Sequence, residues 1–318
     1  MISHVKTVLN IPDCYYPTII EFDSKYHLIY RTYVEHNKTG RLSIDLEITK
    51  IITSDRFDYF DINDSKLFLN NLKGKSASVN HNFALFYINN QLLGVGGVRH
   101  YQFVDKSNAL YKNWSERIPL YRGISLIVGS KISDISSDRK FDLIIRKHLQ
   151  TPLKISVFDS NISMIYFKNK YMIYARHNVN YGQRSIQIYQ SESYNNWDSK
   201  PKLIELDKNE YNHTIYSSSI FTVDNKIYGF FAIYDLPNNP DLKIGCSFIK
   251  YHPTKYELFI GKSENGINFK INHLDKYTNH VPIIGTINHL TESNELFVYL
   301  YNMTEKSIEL YKLNVDLI

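Results

Sequence analysis

The chain has 318 residues, 43% of them hydrophobic and 14% aromatic with 26 Tyr and 17 Phe, enough for the packed core of one large all-β unit. Its net charge of +5 is spread along the sequence with no block of five or six basic residues, which argues against a nucleic-acid partner. No window approaches the roughly 18 apolar residues of a membrane span, the opening MISHVKTVLNIPDC lacks the features of a secretory signal, and Cys14 and Cys246 are too few for a disulfide framework or a cysteine zinc site.

The expectation is a soluble, cytoplasmic chain with two structural cysteines and no membrane partner. The usage rich in Tyr, Ile, Asn and Lys suits strands joined by polar turns. It equally suits an AT-rich genome, such as that of a giant virus or a protist.

Taken in chain order, one pattern recurs: an apolar strand, a short polar turn and a second apolar strand. It runs from Pro17 through Ser24 into YHLIYRTY, then from Phe83 through Asn90 into LLGVGG, and from Ile162 through Asn169 into YMIYARHN. A fourth copy runs from Ser218 through Asn225 into IYGFFAIYD, and a fifth from Ile284 through Ser293 into LFVYLYN. Each turn carries the Asn, Asp or Ser that a tight hairpin needs. A third strand follows each pair: RLSIDLEITKII, GISLIVGSK, RSIQIYQSE, YELFIGKSE and SIELYKLNV. Four of these lead into a turn opened by Ser54, Ser130, Ser191 or Ser263, and two of the turns reach an aromatic residue, Trp197 or Phe269, expected to wedge between units.

Five sequential units of three or four strands predict one domain, residues 1–318, folded as a five-bladed β-propeller. The segment 106–118 reads as a connecting loop rather than a helix. The N-terminal HVKTVLNI would pair into the last blade as its outer strand and close the ring, removing an open edge.

In a propeller the first strand of each blade begins beside the central channel, so the residues at these entrances share one pocket. They are Asp13, Tyr15 and Tyr16; His81 and Asn82; Asp159, Ser160 and Asn161; Asn212, His213 and Tyr216; and Asn279 and His280. The second strands end on Arg31, on Arg99 and His100, on Arg176 and His177, and on Asp235. Polar entrances in front of apolar strands fit a carbohydrate ligand: carboxylates and imidazoles for hydroxyls, Arg for fixed charge, Tyr for stacking on sugar faces. The bland alternative is that entrances are loops, and loops are polar everywhere. His81, His213 and His280 come from three blades, but no HxH or HExxH spacing accompanies them, so neither a metal nor a cofactor is expected. GVGG at 94–97 ends a strand without a following helix or Lys and is no phosphate loop.

The repeat pattern resembles the five-bladed glycoside hydrolase clan of invertases, levansucrases and arabinanases, families 32, 43 and 68. The likeness lies in 156–234, where Asp159-Ser160 precedes a strand pair, Arg176 ends its second strand, Gly182-Gln183-Arg184 opens the third, and Ser191 leads to Trp197. The stretch HNFALFYINNQLLGVGGV (81–98) resembles that clan's second blade.

The resemblance implies cleavage of a glycosidic bond by carboxylates flanking it, spaced about 5 Å apart for retention and roughly 6.5–9.5 Å for inversion. Carried over by position, Asp13 takes the role of base or nucleophile and Asp159 that of the second carboxylate. At the position of the family's acidic Glu this chain has His213, with Glu210 three residues earlier; either is the candidate proton donor. Tyr16, Arg31, His81, Asn82, Asn161, Arg176, Tyr216 and His280 are the candidate substrate contacts. The alternative is a propeller that binds a glycan or a protein without cleaving anything.

Overall fold

The structure is a computed structural model that describes residues 2–33, 47–70, 82–101, 119–136, 142–148, 159–178, 184–197, 200–212, 214–234, 255–287 and 295–318. Among these residues there are strands and short 3-10 turns and no α-helix. After β1 (Ile2–Asn10) comes a first antiparallel meander: β2 (Tyr15–Phe22), β3 (Lys25–Tyr33), β4 (Glu47–Ser54) and β5 (Lys66–Asn70). The second comprises β6 (Ala84–Ile88), β7 (Gln91–Tyr101), β8 (Pro119–Gly129) and β9 (Asp142–His148). The third comprises β10 (Asp159–Phe167), β11 (Lys170–Asn178), β12 (Arg184–Ser191) and the short β13 (Lys202–Leu203).

The chain continues through β14 (Glu205–Leu206) into β15 (Ile215–Val223), β16 (Lys226–Ile233), β17 (Glu257–Ser263) and β18 (Asn268–His273), with β14 lying parallel to β18 at the outer edge. Last come β19 (His280–Ile287), β20 (Glu295–Asn302) and β21 (Ser307–Asn314), and the N-terminal β1 pairs antiparallel with β21 from Ile2↔Leu313 to Asn10↔Ser307. A single parallel bridge, Ile284↔Thr18, joins β19 to β2. The first strands neighbour one another in turn: β2 and β6, β6 and β10, β10 and β15, β15 and β19, β19 and β2. The segment 106–118 lies outside the described residues.

Four of the five expected hairpin turns form where the sequence expects them, for a reason of backbone sterics, and the fifth, at Ser293, lies outside the described residues. Asp23-Ser24, Asn89-Asn90, Lys168-Asn169 and Asp224-Asn225 all have φ between +47° and +62°. Two successive left-handed residues make a type I′ turn, whose twist matches that of the flanking strands, and Asn and Asp tolerate it best.

Inner strands are buried on both faces, so they read as unbroken apolar runs rather than as alternation: in β16 every residue from Ile227 to Ile233 is buried. Toward the outside the alternation returns, as in β18, where buried Phe269 and Ile271 sit between exposed neighbours. Trp197 packs with Phe86, Leu93 and Ile162 in the core between the second and third meanders, and Phe269 packs with Tyr174, Ile186 and Phe231 between the third and fourth. Those are the wedges the sequence pattern predicts. Cys14 is buried among Ile11, Tyr30 and Tyr301, and burial pushes its thiol far up, so it stays protonated.

Four of the five first strands share an irregularity. In β2, β10, β15 and β19 the register with the second strand breaks near the entrance, between Tyr15 and Thr18, Asp159 and Ser163, Ile215 and Ser217, and Pro282 and Thr286. Such breaks release residues from the ladder and re-aim them. Tyr16 and Tyr216 are among the residues released.

Candidate functional site

The entrance end carries two clusters in which buried arginines lie against tyrosine rings. In the first meander, Arg31 stands opposite Tyr15 near the end of β3. Its guanidinium lies 4.8 Å from the ring centroid of Tyr16 and 5.6 Å from that of Tyr15, and its Nη1 donates to Asn82 Oδ1 at 3.0 Å. Tyr16 adopts φ +50° and Asn82 φ +60°. For a bulky residue such as Tyr16 this left-handed backbone is strained, at a cost of order 1–3 kcal/mol. The strain places its ring under the Arg31 cation. Burial, and then the nearby charge of Asp13, push the Tyr15 hydroxyl up against the opposing pull of Arg31.

The second cluster spans the seam between the third and fourth meanders. Arg176, near the end of β11, and Arg184, at the start of β12, each place the guanidinium 5.2 Å from the centroid of the Tyr216 ring. Arg176 Nη1 donates to the Tyr216 carbonyl at 3.3 Å, and Arg184 also lies 5.5 Å from the Tyr234 ring. Thr214, just before β15, bridges in parallel to Arg184, which fixes how the two meanders meet. Tyr216 is half-buried and packs at 4.7 Å against the buried Tyr256 ring. Burial first, and then Tyr216, push the Tyr256 hydroxyl far up although Arg184 and Arg176 pull it down, so it remains a neutral phenol. Aromatic faces beside fixed guanidinium donors can grip a flat, hydroxyl-rich ring through stacking and directed hydrogen bonds.

Asp13 is exposed in the turn before β2, and Glu210 is exposed in the 3-10 turn Asn209–Tyr211. That turn is held by Asn212, whose Oδ1 accepts from the Leu206 amide at 2.7 Å. Asp159 begins β10 opposite Arg176, and Asn161 falls in the register break beyond it. His81 and His213 lie outside the described residues.

His280 opens β19 and reaches into the last meander, where Nε2 lies 3.1 Å from Glu309 Oε2 and 3.2 Å from the Tyr311 hydroxyl, while Nδ1 lies 3.1 Å from the Thr278 carbonyl. Among the described residues no group of three His, Cys, Asp or Glu is close enough to hold a metal ion. Tyr234 and Tyr256 join the site although the sequence reading did not mark them. The signal was weak, because each tyrosine continues an apolar run or precedes a third strand rather than standing at an entrance.

A cleft of about 350 Å³ lies at the other end of the strands, between the turns Lys168-Asn169 and Asp224-Asn225. It is open and lined by two hairpin tips, away from the arginine–tyrosine clusters. The cleft is a gap between neighbouring turns.

No protein-family model matches the sequence, and no curated protein matches it. Solved structures do match. A GH32 β-fructofuranosidase of Bombyx mori has a TM-score of 0.55 at 12% identity over 96% of this chain, which spans 61% of that longer protein. An arabinanase of Bacillus subtilis has a TM-score of 0.55 at 10% identity, with 96% of each chain covered. A family 117 glycoside hydrolase of the marine bacterium Zobellia galactanivorans has a TM-score of 0.54 at 11% identity over 99% of this chain and 91% of its own. These are five-bladed β-propeller glycoside hydrolases. The chain shares their fold, at a distance. At 10–12% identity the likeness carries the backbone and assigns no role to any side chain. Among the described residues no helix is long and apolar enough to cross a membrane.

Proposed function

We propose that the chain is a five-bladed propeller that binds a carbohydrate at the entrance end of its first strands. The cyclic neighbourhood of β2, β6, β10, β15 and β19 supports the blade count, and the pairing of β1 with β21 supports closure through the last blade. The observation that carries the ligand is the pair of arginine–tyrosine clusters, Arg31 with Tyr15 and Tyr16, and Arg176 and Arg184 around Tyr216. Arg31, Arg176, Tyr16, Tyr216, Asn82, Asn161, His81 and His280 are the proposed ligand contacts. For cleavage, Asp13 and Asp159 are the proposed carboxylates, with Glu210 or His213 as proton donor.

A second reading, binding without cleavage, is favoured by the exposure of Glu210. A general acid works with a raised pKa, which requires a desolvated setting.

The test is turnover of a panel of aryl glycosides and short oligosaccharides by the purified protein and by Asp159→Asn. Turnover lost in the variant supports the hydrolase. Thermal stabilisation by a sugar with no turnover supports the binder, and no response to any sugar refutes a carbohydrate function of either kind.

A further inference from the structure

At the seam between the third and fourth meanders, Arg184 is a buried positive charge with an unused donor. Arg184 is 7% exposed, its Nη1 is buried without a hydrogen-bond partner, and no carboxylate lies within ion-pair distance of it among the described residues. Arg176 approaches the same Tyr216 ring at the same 5.2 Å, so two like charges share one aromatic face. Ring faces attract cations but replace only part of the hydration lost on burial. A buried guanidinium with an unused donor calls for an anion.

Of the anions with a shape that fits, a carboxylate accepts two parallel N–H donors from one guanidinium, the geometry an arginine presents most readily. The half-buried Tyr216 ring beside both arginines offers a stacking face next to that acceptor position.

We infer that Arg184 is the carboxylate-binding residue of a subsite, and that the ligand is a sugar acid, a hexuronate or a glycan ending in one. This inference rests on the carbohydrate reading of the same end and names its substrate class. The ligand's carboxylate caps and neutralises Arg184, and its ring lies on Tyr216, beside which Arg176 offers a second cationic donor. A neutral sugar leaves the buried donor unsatisfied, so the site discriminates by charge as well as by shape.

The experiment is calorimetric titration of the full chain with galacturonate and glucuronate, with galactose and glucose as neutral counterparts and acetate as a sugar-free carboxylate. Arg184→Met and Arg184→Lys are titrated alongside. The expected result is a uronate preference of about tenfold or more over the neutral sugar, falling to near unity in Arg184→Met and partly kept in Arg184→Lys.

Neutral sugars bound as tightly as uronates by the wild-type chain would overturn the inference and leave the carbohydrate reading standing. Acetate bound through Arg184 with no sugar bound supports the carboxylate subsite and overturns the carbohydrate reading. No binding of any of the five compounds overturns both. Should Arg184→Met fail to fold, the wild-type ratio and Arg184→Lys decide the matter.

Discussion

Arg31 reaches from the end of one meander's second strand to the entrance of the next, where its Nη1 donates to Asn82 Oδ1 at 3.0 Å. Asn82 is fully buried and holds φ +60°, so it is asked to do two things, to accept from a cation and to keep a left-handed backbone. The two demands separate by mutation. Asn82→Gly removes the acceptor and keeps the conformation without steric penalty, at only an entropic cost, whereas Asn82→Ala removes the acceptor and adds the left-handed penalty of about 1–2 kcal/mol. Urea unfolding should therefore place Asn82→Ala below Asn82→Gly by roughly 1 kcal/mol, with both below the wild-type chain. Equal stabilities would mean that the backbone there relaxes freely.

The last meander buries an ionised group. Glu309 accepts from the Tyr311 hydroxyl at Oε2, and from Asn302 Nδ2 at 3.0 Å and Ser307 Oγ at 3.1 Å at Oε1, with His280 beside it. Burial works to raise its pKa, but the hydrogen bonds from Tyr311, Asn302 and His280 outweigh burial and hold the carboxyl below its ordinary 4.5. A depressed carboxylate contributes stability that is fully present above the unfolded pKa. That contribution is lost as pH falls through the folded pKa.

Thermal melts should accordingly drop as the pH falls below about 4.5. Glu309→Gln should cost roughly 1.5–3 kcal/mol near neutrality and flatten this acid limb. An acid limb unchanged in the variant would show that other carboxylates drive it.

Four of the hairpin turns were legible in the sequence because the residues that favour tight turns are few: Ser24, Asn90, Asn169 and Asn225 each announce a turn by chemistry alone. The strands around them were legible because burial on both faces writes an unbroken apolar run. Tyr16 shows the limit. Nothing about a tyrosine before a proline predicts φ +50°, since that conformation is imposed by the packing around Arg31. His280 shows another limit. Its place at an entrance was legible, but its engagement by Glu309 and Tyr311, about thirty residues later in the chain, depends on β19 and β21 lying in one meander. Arg184 stood out only as the residue opening a strand, and its sharing of Tyr216 with Arg176 requires two meanders to meet.

Gly285 bears on closure between the last and first meanders. It adopts φ +115°, and a Cβ there would stand 1.8 Å from the Ile19 carbonyl oxygen, beside the bridge of Ile284 to Thr18. Neither backbone can give way without parting β19 from β2. Gly285→Ala should destabilise the chain by about 3 kcal/mol or more, through both the forbidden φ and the collision. A loss under about 1 kcal/mol in chemical unfolding would indicate that this seam is loose, and would count against a ring closed at this point.

Gly266 makes the same kind of demand on a side chain rather than a backbone, which allows a compensating change. It lies in the turn after β17 with φ +76°, and its carbonyl accepts from the Tyr174 hydroxyl at 3.1 Å across the seam between the third and fourth meanders. A Cβ at position 266 would fall 2.3 Å from that same hydroxyl oxygen. Tyr174→Phe alone loses one buried hydrogen bond, about 1–2 kcal/mol including the orphaned carbonyl. Gly266→Ala alone suffers the left-handed strain together with the clash, about 2–4 kcal/mol. In the double variant the clashing atom is gone and only the strain and the missing hydrogen bond remain. The two costs should therefore sum to more than the double variant shows, by roughly 1 kcal/mol or more in a double-mutant cycle. Strict additivity would mean that the hydroxyl swings aside in Gly266→Ala, and that the Tyr174 contact does not govern how these meanders pack.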